Sequence, residues 1–175
     1  MTSPGSSVRI IGDPVLRKKG APLIFPDDVQ YINTLVKRML NTIEVAEGLG
    51  LAAPQVGESV RLFIAAPNHL EELKGHVVFI NPEIQPYGDM EKREEGCLSI
   101  PGIYEVLSRH SQVKVKARDM LGNTFTLDVS GLAARLMLHE TDHLNGILFV
   151  DRLSPIKRKL LRGKIKRLKD DRSVY

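Results

Sequence analysis

The sequence predicts an α+β fold: mostly antiparallel β-sheets packed around a central helix, with an N-terminal helix and a C-terminal amphipathic helix. Three observations carry that expectation. β-rich runs cluster between residues 60 and 129 without regular alternation with helices. Two of those runs face one another across a short turn, and strong helical periodicity lies outside the region they occupy.

The elements follow in order. After an extended start through Gly12-Asp13-Pro14-Val15-Leu16, a helix is expected from about Asp28 to Glu47. There Val29, Ile32, Val36, Met39 and Ile43 recur at spacings of three or four, with Asp27 or Asp28 as cap and Gly48 as stop. Residues 60–66, VRLFIAA, and 76–84, HVVFINPEI, read as strands bounded by turn formers. Residues 112–118 and 123–129 alternate cleanly on either side of DMLG, which makes them a hairpin. A second helix is expected from near Ser130 to Gly146, whose glycine suits a left-handed stop. A third, basic and amphipathic, starts at Pro155, although Gly163 costs it about 1 kcal/mol.

Composition narrows the class. The 175 residues suffice for one well-buried core and are too few for two ordinary domains. The chain is 42% hydrophobic and 26% charged, and no apolar run approaches the ~18 residues of a membrane span. The opening MTSPGSSVRIIGDP shows no apolar signal region, and a single cysteine excludes an internal disulfide framework. A reducing compartment is expected, the bacterial cytoplasm by default and an organelle as the alternative. Charge is uneven: Ile156 to Lys169 holds eight basic residues and no acidic one. Removing those eight from a net +4 leaves −4 for the rest, so any polyanion partner belongs to the tail.

The strongest chemical signal is LHETDHLNG, residues 138–146. His139 and His143 are four apart, so on a helix both imidazoles leave one face, with Glu140 beside them. With five histidines and eleven glutamates, chance supplies roughly 0.007 such H-E-x-x-H matches. Leu132 and Leu136 precede His139 on the same stripe, so that face is apolar before it reaches the histidines. Two buried imidazoles need a partner, and one metal ion is the simplest. Arg135, four before His139, reads equally as a pocket-rim residue or a surface salt bridge.

A third ligand is required. His69, His76 and His110 lack spacing support and read as ordinary surface histidines. Cys97 lies in REEGCLSIPG, where Gly96 and Pro101 make a non-repetitive loop. A solitary cysteine is usually a small buried apolar residue. Set beside an incomplete pair of histidines, it points instead to a Cys-His-His set, which leaves a coordination position open for catalysis.

Three segments together resemble peptide deformylase. Gly48-Leu49-Gly50-Leu51-Ala52-Ala53-Pro54-Gln55 matches the family's first motif and Glu95-Gly96-Cys97-Leu98-Ser99 its second. His139-Glu140-Thr141-Asp142-His143-Leu144-Asn145-Gly146 matches the third. Leu138 departs from the pattern, standing where the family usually carries glutamine, so one hydrogen bond behind the ligands is not expected. The resemblance runs from GDPVL to about Arg152. It divides the chain into a single catalytic domain, 1–155, and a basic helix or tail, 156–175.

The resemblance implies a metal-dependent hydrolase that removes the N-formyl group from the initiator methionine of newly made polypeptides and releases formate. Its metal would be held by Cys97, His139 and His143. Ferrous iron is what the family implies; the ligand set alone admits zinc equally, with nickel or cobalt as substitutes. Glu140 would take a proton from the attacking water and return it to the leaving amine. Gln55, through its amide, and Leu98, through its backbone N–H, would donate to the oxyanion, each donor contributing about 3 kcal/mol. A formyl-methionyl nascent peptide would pair as an added strand with Leu49-Gly50 and with Gly96. Leu49, Leu132 and Leu136 would wall the methionine pocket, a role compatible with their reading as core residues. Glu95 would pair with a downstream arginine, for which Arg109 is the candidate; the alternative is an exposed pair contributing almost nothing.

Two rivals predict other features. A zinc endopeptidase needs a third His or Glu beyond the helix, and only Asp151, Asp170 and Asp171 follow His143 as acids. A metal-stabilised RNA-binding module needs four closed ligands and gives Gln55 and Glu140 no purpose. The tail reads first as a solvated helix with Ile156, Leu160, Leu161, Ile165 and Leu168 on the body, and second as a ribosome contact. Neither DNA nor a membrane is expected as a partner, and a monomer is expected.

Overall fold

The structure, a computed structural model, describes residues 7–66, 70–73, 75 and 77–170. Helix α1 (Val29–Ala46) precedes strands β1 (Gly50–Ala52), β2 (Leu62–Ala65), β3 (Val78–Glu95), β4 (Glu105–Arg118) and β5 (Thr124–Ser130). Helices α2 (Gly131–Leu144) and α3 (Pro155–Asp170) complete the chain. The strands form one antiparallel sheet in the order β1-β2-β3-β4-β5, so every strand pairs with its neighbour in sequence. This is the α+β architecture the sequence predicts.

Three differences have physical causes. Strand β3 continues to Glu95 and β4 begins at Glu105, well beyond the expected runs. Residues 85–94 of β3 are mostly exposed, and cross-strand pairing of Tyr87–Glu95 with Glu105–Gln112 holds this end of the ribbon, where Leu107 is the one buried apolar residue and Glu95 and Arg109 are buried but charged. Strand β1 is only three residues long and left no periodic trace. The left-handed stop of α1 falls on Glu47, at φ 53°, not on Gly48. At the other helix the expected stop holds: α2 ends at Leu144, and Gly146 has φ 72°. The DMLG turn closes as expected, with Asp119 Oδ1 accepting from the N–H groups of Leu121 and Asn123.

The core has three parts. Phe63, Phe79, Val113 and Val115 pack the sheet onto α2 through Ala133 and Met137. Leu138 joins this cluster, so the position where the resemblance leads one to expect glutamine is part of the apolar packing. Helix α1 covers β1 and β2 through Ile32, Val36, Met39 and Ile43. Helix α3 docks through Leu161, with Ile165 and Leu168 partly buried against Ile103 and Leu107. The tail expectation needs correction here: Ile156 and Leu160 are 74% and 77% exposed. The docking stripe runs 161-165-168, and a residue one position away is turned about 100° from it.

His69 and His76 lie outside the described residues. His110 sits on β4, half-buried, with Nδ1 3.1 Å from the carbonyl oxygen of Gly88, away from the other histidines.

Candidate metal centre

Helix α2 is buried on nearly every side, which fixes the directions of His139, Glu140 and His143. Cys97 arrives from the end of β3, in a turn closed by the Ile100 N–H donating to the Cys97 carbonyl at 2.9 Å. The N-terminal segment pins both approaching loops. The Ile11 N–H donates to the Ser99 carbonyl and the Arg9 N–H to the Gln55 carbonyl, each at 2.8 Å.

The result is convergence across long sequence separations. Cys97 Sγ lies 3.2 Å from His143 Nε2, and the donor atoms of Cys97, His139 and His143 lie within 4.8 Å of one another. Bonds of about 2.0–2.3 Å to one cation put tetrahedral donors roughly 3.5 Å apart, so small side-chain adjustments suffice. No fourth such donor joins them among the described residues, as a catalytic site requires. Glu95 Oε2 stands 3.2 Å from His139 Nδ1, which fixes the proton there and leaves Nε2 for a metal. Burial pushes His143 well below the usual imidazole range, helped by His139 and Arg109, and so keeps it in its ligating neutral form. Burial would lower His139 as well, but hydrogen bonds to Cys97 and Glu95 hold it well above that range, so a cation at Nε2 would bind by displacing a proton. The donor chemistry and the fixed tautomer fit one divalent cation.

A buried ionic network supports Glu95. Arg109 grips it with two hydrogen bonds of 2.6 and 2.9 Å and reaches Asp142 Oδ2 at 2.8 Å. Arg135 adds a bond of 2.5 Å to Glu95 Oε1, and Arg152 clamps Asp142 from the other side. The expected Glu95–Arg109 pair is therefore buried. Arg135, left between rim and surface, is a buried strut that also reaches the cavity lining. Asp142 and Arg152 gave no sequence signal of their own.

A cavity of about 450 Å³ opens over this centre. Leu49, Gly50, Gln55, Gly96, Cys97, Leu98, Leu132, Leu136, His139 and Glu140 all line it, while His143 lies behind Cys97. Leu136 is buried, but Leu49 and Leu132 are 40% and 44% exposed at the mouth, so their reading as core residues does not hold. Glu47 and Tyr104 also line the cavity and were not anticipated. Gln55 is almost fully buried: its Oε1 accepts from the Ala52 N–H at 2.8 Å, turning Nε2 towards Ser99 Oγ at 3.2 Å and Cys97 Sγ at 3.6 Å. Burial pushes Glu140 up to about 7, against the pull of His139 and Arg109, and its Oε2 has no hydrogen-bond partner among the described residues. A proton acceptor poised near neutral pH thus faces the cavity.

Gly50 shows how tightly the sheet approaches. A Cβ there would lie 2.5 Å from both Glu140 Oε1 and Leu136 Cδ1. Among the described residues strand β1 pairs only with β2, and the Leu49 carbonyl accepts from Ala66 N–H on that side. By ladder alternation the Gly50 backbone groups face the free edge.

Soft and borderline ligands around one point, with a free carboxylate alongside, make this a metal-dependent hydrolase. Sequence and structure comparisons agree on which kind. The family model described as Polypeptide deformylase matches residues 6–159. A peptide deformylase of Thermotoga sp. (strain RQ2) is 43% identical over 159 residues, covering 90% of this chain and 93% of the relative. The crystal structure of peptide deformylase from Thermotoga maritima superposes with a TM-score of 0.75 at 42% identity, over 85% of this chain and 97% of that one. The enzyme from Synechococcus elongatus, solved in complex with actinonin, gives 0.80 at 38% identity, over 97% and 89%. The chain belongs to the peptide deformylase family, hydrolases that remove the N-formyl group from nascent polypeptides.

Proposed function

We propose that this chain deformylates the initiator methionine of new polypeptides at the centre described above, with Cys97, His139 and His143 holding a ferrous ion. The observation that carries the assignment is the meeting, in one cavity, of a Cys-His-His donor set with a free sheet edge at Gly50. When bound, the cation supplies Lewis-acid activation of the attacking water and the formyl carbonyl. The remaining work belongs to the chain.

Gly50 and Gly96 bind an extended substrate by backbone pairing, which tolerates varied side chains beyond the methionine. Leu49, Leu132 and Leu136 enclose the methionine side chain, the first two from the mouth and the third from the floor. Glu140 accepts the proton of the water whose oxygen bonds to the formyl carbon, then delivers it to the nitrogen as the C–N bond breaks. Gln55 Nε2 and the Leu98 N–H donate to the formyl oxygen as it gains charge. That N–H has no hydrogen-bond acceptor among the described residues, so it is available. Formate and a free N-terminal methionine leave.

Residues 1–155 act as the catalytic domain and 156–175 as an appended basic helix or tail, in a monomer of the bacterial cytoplasm. Bacterial relatives support that setting, and among the described residues no helix is long and apolar enough to cross a membrane. The exposed cations of α3 suit ribosomal RNA. Reversing Lys159, Arg162 and Lys166 to glutamate should weaken ribosome sedimentation of the chain; unchanged co-sedimentation refutes the contact.

The decisive assay compares formyl-Met-Ala with acetyl-Met-Ala, using anaerobically purified protein of measured metal content. Formate release from the first alone, in proportion to iron, is expected. Equal cleavage of both, or of neither, overturns the reading.

A further inference from the structure

We propose a second binding site, for a phosphoryl group, in the groove where the outer end of the β3–β4 ribbon meets the start of α3. This groove, about 250 Å³, is lined by Lys92, Ser108, Arg152, Ser154 and Lys157 together with Val106 and other apolar residues. It shares no residue with the catalytic cavity. Among the described residues three cations and two hydroxyls line it, and no carboxylate does.

Charge accounting shows why a dianion fits. In the buried network Arg109, Arg135 and Arg152 oppose only Glu95 and Asp142, which leaves one positive charge over. The side chains of Arg109 and Arg135 are 3% and 7% exposed, whereas that of Arg152 is 44% exposed, so of the three only Arg152 reaches the groove. Lys157 is balanced by Glu105, which holds it at 2.8 Å, and also donates to the Val106 carbonyl. Lys92 is exposed, with no ion pair among the described residues. The groove therefore presents Lys92 unpaired and Arg152 sharing Asp142 with Arg109, a positive setting for a phosphoryl group, which brings about −1.5 to −2 at neutral pH. The N-terminal end of the 16-residue helix α3 begins at the groove wall and adds its positive dipole end. Ser108 and Ser154 supply neutral donors of the kind such oxygens accept from.

The phosphoryl group can arrive as free phosphate or as the terminal phosphate monoester of a nucleic acid, and two arms separate these sources. Full-length, metal-loaded protein is titrated calorimetrically with inorganic phosphate against chloride of equal ionic strength, and in parallel with a short 5′-phosphorylated oligouridylate. The Lys92→Gln/Lys157→Gln variant is compared with the parent in both arms. Lys92→Gln alone, on an exposed unpaired side chain, keeps the comparison readable if the double variant is unstable. Saturable phosphate binding, weakened about tenfold or more by the substitutions with deformylation unchanged, is expected. Loss confined to the oligouridylate arm also supports the site and assigns it to a terminal nucleic-acid phosphate. Binding that is absent in both arms, or is identical in parent and variants, overturns the proposal.

Discussion

Glu95→Gln tests the support of the metal centre. Glu95 accepts four hydrogen bonds, two from Arg109 and one each from Arg135 and His139. Burial alone would raise its pKa above the ordinary 4.5, but His139 and Arg109 outweigh that and hold it at about 2. Relative to an ordinary carboxyl, the ionised side chain therefore contributes roughly 3 kcal/mol to folding at neutral pH, within the range for breaking a buried pair. Glutamine imitates the protonated acid, so the variant should lose a similar amount, a fall in Tm of roughly 6–12 °C for a chain of this length. The sign with pH follows from a depressed native pKa. The stabilisation is complete above about 4.5 and disappears as pH falls through about 2, so parent and variant should converge at acid pH. Thermal unfolding of both proteins, stripped of metal and scanned across pH, makes the measurement. Metal competition with a chelator should also show about 10–100-fold weaker retention in the variant, because His139 loses its orienting partner. Equal Tm at neutral pH together with equal metal affinity would refute the reasoning.

Four further outcomes are expected. Gly50→Ala forces Glu140 Oε1 and Leu136 Cδ1 away from a new Cβ, so turnover should fall about 10–100-fold with little change in Tm; undiminished turnover would show that the contact is unimportant. Glu140→Gln should keep its metal, read by elemental analysis, and lose most formate release, whereas normal activity would remove the residue from its role as base. Cys97→Ala should abolish tight metal retention, and full iron content after purification would exclude it as a ligand. Leu161→Ala should cost about 2–3 kcal/mol in denaturant titration, since this side chain anchors α3; an unchanged midpoint would show that the helix docks by other means.

The helices and the chemistry were legible because they depend on local spacing. Periodicity placed α1 within a residue or two, and the His139-Glu140-His143 spacing required one helical face. Cys97 became legible only through an incomplete histidine pair and a family pattern, since a single cysteine carries no period. The paired ends of β3 and β4 were not legible because β3 there is mostly exposed and the buried side chains include the charged Glu95 and Arg109, so no apolar alternation marks them. Arg109, Arg135 and Arg152 read alike in sequence as charged residues. Only the fold shows that two are sealed beside Glu95 while the third looks out. Leu49 and Leu132 belong to a mouth, which hydrophobicity alone does not separate from an interior.

The three-residue edge strand β1 sits at a recess of only about 450 Å³. A loose terminus threads into such a slot, whereas one already locked into a domain is too bulky to enter. Timing thus follows from shape: the encounter belongs to the interval after a chain emerges and before its own start is folded away.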